Sequence, residues 1–426
     1  MTRRLIIVGG GAGGVLVALH VVCNTRKSTT LTIIEPKQRL GEGVAYSTQD
    51  DTHLLNVPAG GMSAYSDDPQ HFAAWAGCAP DAFVARHRYA AYLRSELATA
   101  VAASNTVHVQ HVCDTAVAIS PDPPLVTTSN GTVIGGDALI LALGNAPPTS
   151  PNWVHDYVQN SAHISAHSSA ATRVVIDPWA PRALDAISSG DQVLCIGTGL
   201  TFVDIALSLA RRGVRVTGVS RHGLLPMAHA GFGALPALPA QPASFATPRA
   251  VLRWIRTQPD WRAAFGALRP ATPHIWQGFT PRQQAQFLRL ARRYWDIHRH
   301  RMSADVAHEL AHMQATDAIV VRRGDGRQLA ESGVFDAVVL CTGPDDAALL
   351  TTPPLRALVD AGVICPGPHG IGVHTDAVSG QVKSAAGSPV AGLFAIGPLR
   401  RGTLWESTAV PEIRDQAQQL ATLLVS

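Results

Sequence analysis

The sequence predicts an α/β protein built from two Rossmann-like dinucleotide-binding domains plus a helical insertion. Three observations carry this expectation. A strand, a glycine-rich turn and a helix follow one another at 4–22, and an altered version of the same unit stands at 191–211. Two apolar strands that each run into a glycine, at 137–144 and 336–343, close the regions that these units open.

In the first unit, residues 4–8 form a short apolar run, as in a strand buried on both faces. Gly9-Gly10-Gly11-Ala12-Gly13-Gly14 then contains G-x-G-x-x-G at Gly9, Gly11 and Gly14. The first glycine permits the tight turn, the second leaves room for a pyrophosphate, and the third lets helix and strand pack closely. Residues 15–22 read as a buried helix whose N-terminus, with Ala12 and Gly13, faces negative charge. The next apolar run ends at Glu35, a residue able to accept hydrogen bonds from a ribose diol. The basic start Met1-Thr2-Arg3-Arg4 suits a signal peptide, but three consecutive glycines make a poor apolar region.

The second unit repeats the pattern with differences. Its strand, 191–196, leads into Gly197-Thr198-Gly199-Leu200-Thr201-Phe202. Phe202 stands where the third glycine belongs, so helix and strand are expected to pack less closely. The following strand ends in Ser220-Arg221-His222-Gly223 rather than in an acid. An acid there holds a ribose 2′-hydroxyl, whereas arginine accommodates a 2′-phosphate. The expected coenzyme is therefore NADPH, with Ser220 donating to the phosphate and Arg221 pairing with it.

Composition excludes several classes. Of 426 residues, 46% are hydrophobic and 15% charged, with a net charge of +3, which suits neither a disordered chain nor a polybasic nucleic-acid binder. The length suggests two to three domains. The six cysteines are scattered with no C-x-x-C, which speaks against a zinc ribbon or a dithiol centre and for a cytoplasmic setting. No apolar run reaches the ~18 residues of a membrane span. His308-Glu309-Leu310-Ala311-His312 matches H-E-x-x-H and keeps a zinc metallopeptidase as a remote alternative. No third histidine follows at metzincin spacing, and the expectation is no metal.

Beyond these motifs, several segments are particular: 41–47 (Gly-Glu-Gly-Val-Ala-Tyr-Ser), 53–59 (His-Leu-Leu-Asn-Val-Pro-Ala), Met62-Ser63-Ala64, 294–301 and 405–414. Together they resemble the bacterial FAD/NAD(P)-binding family of two-dinucleotide-binding-domain oxidoreductases. That resemblance implies a discontinuous FAD domain, 1–170 and 344–426. An NAD(P)H domain, 171–343, is inserted in it and carries the helical insertion at about 224–312. It places Gly144 and Gly343 at the ends of the crossover strands and Gly397 at the end of a third FAD-type strand.

The implied chemistry is hydride transfer from NADPH to FAD, with a small molecule as substrate. Ala142-Leu143-Gly144 with Pro147-Pro148 resembles the ATG-x-x-x-x-P segment of single-component flavin monooxygenases, with Leu143 where Thr is usual. The segment before Gly197 lacks F-x-G-x-x-x-H and has Asp177-Pro178-Trp179 instead. A monooxygenase using molecular oxygen is the first reading. An NADPH-dependent reductase or dehydrogenase with a non-oxygen acceptor is the alternative, and a flavin-binding redox sensor without turnover is a third.

Candidate catalytic residues are Asn56, Arg401, Trp405 and Glu406. Ser407 or Thr408 is expected to cap the last helix, whose N-terminus then points at the flavin. The rival reading has Asn56 satisfying loop backbone, Trp405 packing and Glu406 in an ion pair. The insertion, with Trp254, Trp261, Trp276 and Trp295, reads as a helical subdomain with its own aromatic core. The sharper reading is a cap whose Arg292, Arg293, Arg299 and Arg301 face an anion.

Overall fold

The computed structural model describes residues 2–164, 172–230, 239–242 and 244–425, with side chains left undescribed at 160–164. Its strands in chain order are β1 (Arg3–Val8), β2 (Thr29–Ile34), β3 (Val107–Val112), β4 (Ala116–Pro121), β5 (Pro124–Thr128), β6 (Val133–Gly135), β7 (Ala138–Leu141), β8 (Arg173–Val175), β9 (Gln192–Ile196), β10 (Arg215–Ser220), β11 (Ile319–Arg323), β12 (Ala337–Leu340), β13 (Gln381–Lys383) and β14 (Pro389–Ala395). The chain divides into two compact units. No helix among the described residues is long and apolar enough to cross a membrane.

The first unit comprises Met1–Ala146, Ala237–Phe287 and Asp346–Ser426. Its six-stranded sheet has the order β13-β14-β7-β1-β2-β3, parallel except for the β13–β14 hairpin. The period of two in β1 explains the layering. Leu5 and Ile7 face the helices Ala12–Asn24 and Val410–Val425, while Ile6 and Val8 face the small β4-β5-β6 sheet and Leu355 and Leu358. Both faces of β1 are thereby covered, as its unbroken apolar run predicts. Leaving β1 the chain turns to β2 on one side, and later returns at β7 on the other. The crevice at the carboxyl ends of β1 and β7 is the topological switch point where such sheets bind ligands.

The second unit comprises Pro147–Pro236 and Leu288–Asp345. Its five strands, in the order β11-β10-β9-β12-β8, are all parallel. Helices Leu200–Arg211 and Ala304–Ala315 pack on one face, and Val154 with Trp153 and Tyr157 on the other.

The compact units are cut elsewhere than the expected domains. The first boundary falls at 146 rather than 170, and the stretch expected as one insertion is divided at Phe287. Residues 248–257, 261–268 and 272–278 are helices of the first unit, the first two capped by the side chains of Thr247 and Asp260. Residues 281–299 form two helices, Pro281–Leu290 and Arg292–Arg299, separated at Ala291.

Phe202 does not loosen the second unit. Its ring is fully buried and lies over Gly218 in the middle of β10, where an added Cβ would overlap the ring. The space that a third glycine would free on the helix is freed on the strand instead. Replacing Gly218 by Ala is therefore expected to destabilise the fold by about 1–3 kcal/mol through overpacking. In chemical unfolding, Phe202→Leu added to Gly218→Ala should recover part of the loss. A Gly218→Ala protein as stable as the parent would show that the ring has room elsewhere.

Candidate functional site

The first unit holds a cavity of about 350 Å³ at the carboxyl ends of β1 and β7. Gly9, Gly11, Ala12 and Gly13 form one wall, with Glu35, Gly144, Gly397 and Thr408 around it. The turn is forced at Gly9, which has φ +104° and no room for a Cβ against the carbonyl of Ala142. Gly14 lies outside the lining, and a Cβ there would overlap the Gly9 carbonyl, so its role is the expected close packing. Gly11 lines the cavity as well, and the 41–47 loop lies close to it. A Cβ on Gly11 would meet Gly43 Cα at 3.3 Å, so the loop bounds the space above it.

Helix Ala12–Asn24 starts at Gly11 with no side-chain cap. Its first N–H groups are left for a ligand, and negative charge is favoured there. Glu35 is held by the same turn. One carboxylate oxygen accepts the Gly10 N–H at 2.8 Å and the other the Lys37 N–H at 3.2 Å. Each oxygen keeps a lone pair for a diol. Gly144 has φ +72° and nothing within 4 Å of the Cβ it lacks. This wall of uncapped amides, acid and open glycine fits the adenosine and pyrophosphate of FAD.

The cavity also has walls that motif reading missed. Lys37, Tyr46, Thr115 and Asn145 line it, as do Pro353 and Pro354. Tyr46 packs on Tyr89 at 5.0 Å, and burial pushes its hydroxyl up to about 12. The 41–47 segment carried a signal for Tyr46, whereas nothing local in the sequence marks Pro353.

The C-terminal candidates separate. Gly397 lines the cavity, its N–H donating to Gln416 Oε1 at 3.0 Å, and Thr408 lines it too. Ser407 is fully buried, with its Oγ lacking a hydrogen-bond partner. Neither caps the last helix, because the first helical bond runs from Ile413 N–H to the Ala409 carbonyl. Half-buried Asn56 and Arg401 and buried Trp405 and Glu406 all lie outside the lining. Arg401 reaches Asp346 at 3.4 Å and lies 5.1 Å from the Trp405 ring. Trp405 stacks on Trp276 at 5.1 Å, so this part of the insertion shares an aromatic core with the 397–412 stretch.

In the second unit the altered motif repeats the geometry. Gly197 has φ +103° and is pressed against the Cys341 carbonyl, while Gly199 faces open space. Helix Leu200–Arg211 begins at Gly199 without a side-chain cap. Gly343, with φ +80°, accepts the Thr149 N–H at 2.8 Å. Ser220 departs from its expected role. Thr198 Oγ1 donates to the Leu224 carbonyl at 2.5 Å and so receives the Ser220 hydroxyl proton at 2.8 Å, while Ser220 Oγ accepts the Gly223 N–H at 3.0 Å. Its proton is spent on the turn. Arg221 is exposed at the end of β10, and Arg323 ends β11 directly beside Ser220. Partial desolvation, then the charges of Arg293, Arg323 and Arg221, hold His222 below the ordinary histidine value.

The H-E-x-x-H helix has another use for its acid. Glu309 makes a two-pronged ion pair with Arg211 at 2.8 and 2.5 Å. Among the described residues no group of three His, Cys, Asp or Glu side chains could hold a metal ion.

A family model described as FAD-NAD(P)-binding matches residues 6–146, the stretch that builds the first wall of the cavity. No curated protein matches the chain. Among solved structures, a flavin monooxygenase mutant from Stenotrophomonas maltophilia is similar at 16% identity and TM-score 0.50, over 100% of this chain and 98% of that one. A thioredoxin reductase from Lactococcus lactis is similar at 13% identity and TM-score 0.51, over 99% and 97%. An oxidised steroid monooxygenase bound to NADP is similar at 15% identity and TM-score 0.53, over 99% and 85%. Residues 6–146 thus match the FAD-NAD(P)-binding family model, and the whole chain has a fold like that of these solved flavoproteins.

Proposed function

We propose that the chain is an FAD-dependent oxidoreductase that takes hydride from NADPH, and that it works as a monooxygenase on a small molecule. The observation that carries the reading is the repeated one. Each unit aims an uncapped helix N-terminus into the switch point of a parallel sheet, one beside Glu35 and one beside Arg221 and Arg323. The first suits FAD, whose ribose hydroxyls need an acceptor. The second suits a coenzyme with a 2′-phosphate, which needs cations.

Bound FAD supplies the hydride acceptor and the onward electron transfer. The residues of the chain bind and orient. Glu35 takes the ribose, the amides at Gly11–Gly13 take the pyrophosphate, and Thr408 and Gly397 close the far wall. Oxygen is favoured over a disulfide acceptor by the placement of the thiols. No cysteine lines the cavity. Cys195 and Cys341 do meet, but in the core of the second unit. Their mutual hydrogen bond and burial push the Cys341 thiol well up, the reverse of a reactive dithiol. The likeness to flavin monooxygenases is consistent with this reading at the level of fold.

Three measurements test the proposal. Titrating apo-protein with FAD, Glu35→Ala should weaken binding by roughly tenfold to a hundredfold, the loss of charge-assisted hydrogen bonds to a diol. Unchanged affinity would remove Glu35 from the site. In anaerobic flavin reduction, NADPH should be favoured over NADH by about tenfold or more, and Arg221→Ala should weaken NADPH while sparing NADH. Equal wild-type use of the two coenzymes would overturn the NADPH assignment. Admitting air to the NADPH-reduced protein separates the two enzyme readings. With no substrate present, a monooxygenase should return slowly to the oxidised spectrum and release its one peroxide per flavin only at that slow rate. Immediate return with one peroxide per NADPH would favour the reductase.

A further inference from the structure

We propose that Trp276 and Trp405, together with the Arg269–Glu412 ion pair, form a clamp through which the 248–287 helices position the 405–413 stretch against the FAD cavity. This rests on the cavity being the FAD site. Trp405 has φ +63° and ψ −54°. The Glu406 N–H donates to the Leu404 carbonyl at 2.8 Å, so Trp405 is the centre of a γ-turn of the rare, strained hand. A bulky residue keeps such a conformation only where its surroundings over-determine it.

The surroundings here come largely from the helical segment. Trp405 stacks on Trp276 with an interplanar angle of 29°, and the Phe287 ring meets it edge-on at 5.2 Å. Trp276 Nε1–H donates to the Gly402 carbonyl at 2.9 Å, which fixes the approach to the turn. Trp276 is secured in turn, since the Gln284 side chain donates to its carbonyl at 2.8 Å and pairs with His369 at 2.9 Å.

A second attachment lies beyond the turn. Arg269 grips the Glu412 carboxylate at 2.5 and 2.9 Å, largely out of water. Glu412 stands in the first turn of the last helix, next to Ile413, which lines the cavity. The segment is therefore held at 405 and at 412, and Thr408, which lines the cavity, lies between. Ser407, buried with an unpartnered hydroxyl, lies in the same span. Backbone strain and a stranded polar group in one short stretch are features that structures keep where a site requires them. Trp276, Trp405 and Arg269 are positioning residues: each acts on the cavity wall through the chain between the two grips.

The test uses full-length apo-protein of the wild type, Trp276→Leu, Trp276→Phe and Arg269→Gln. FAD affinity is measured by fluorescence titration, bound flavin by visible circular dichroism, and apo-protein stability by thermal unfolding. Glutamine at 269 keeps a hydrogen-bond donor for the Glu412 carboxylate, so Arg269→Gln is the milder variant where Trp276→Leu does not fold. Trp276→Leu and Arg269→Gln should each weaken FAD about tenfold and change the flavin dichroism, and Trp276→Phe should recover most of both. Variants that melt earlier yet bind FAD as tightly, with the wild-type dichroism, would reduce the cluster to ordinary packing and overturn the clamp. A wild-type apo-protein that binds no FAD would instead overturn the assignment of the cavity itself.

Discussion

In each unit the glycine after the central strand has its Cβ position occupied by a carbonyl of the neighbouring strand, Ala142 for Gly9 and Cys341 for Gly197. The hydrogen bonds around the two glycines also correspond. The Gly9 N–H donates to the Ile34 carbonyl at 2.9 Å, and the Gly197 N–H to the Val219 carbonyl at 2.8 Å. On the other side Ala142 donates to Val8 at 2.9 Å and Cys341 to Ile196 at 2.7 Å. Three adjacent parallel strands are thus tied at one level, and the chain leaves the middle one through a positive φ that only glycine adopts without cost. The helix that follows must start over the carboxyl edge of the sheet, with its free amides facing the crevice. The cavity in the first unit and the open space at Gly199 in the second both follow from that exit.

How far this was legible depended on how local each cause is. The strand–turn–helix units, Glu35 and the glycine-ended strands show directly in the chain, because each is set by residues within a few positions of one another. The answer to Phe202 is not local. It lies at Gly218, one strand away, where a glycine in a strand gives no sign of which ring will cover it. The same holds for Ser220, whose residue type suits a phosphate as well as a turn. Only the positions of Thr198 and Gly223 show that its proton is engaged. Trp405 and Glu406 stood out as chemistry-bearing residues, but their burial is decided by Trp276, 129 positions earlier by subtraction. The grouping of 237–287 with the first unit is equally non-local, and no glycine- or serine-rich linker marks the junctions.

The two units share a frame and differ in charge where the second strand ends. Glu35 is oriented by two backbone N–H groups, so its negative charge is built into the turn rather than left on a mobile side chain. At the corresponding edge of the second unit the charges are positive and exposed. Arg221 and Arg323 come from adjacent strands, with the lowered His222 between their fields. A neutral imidazole there adds no repulsion to the arginines and remains able to take a proton when an anion arrives. On the proposed reading, one frame with opposite charge at one strand end lets a single chain distinguish two dinucleotides that are otherwise chemically close.

The cavity offers few groups for acid–base or nucleophilic work. Its Glu35 is engaged in the turn and its Tyr46 hydroxyl is held protonated by burial. The thiols lie elsewhere. Chemistry in such a site has to reside in the cofactor, and the contribution of the protein is the exactness of placement. Placement of that kind depends on rigid support behind the lining, and the residues that provide it need not touch the ligand. This is why the buried aromatic and ionic contacts behind Thr408 carry functional weight that their distance from the cavity would not suggest. It is also why a strained tryptophan and a stranded serine hydroxyl are tolerated in the one stretch that joins the third strand's glycine to the last helix.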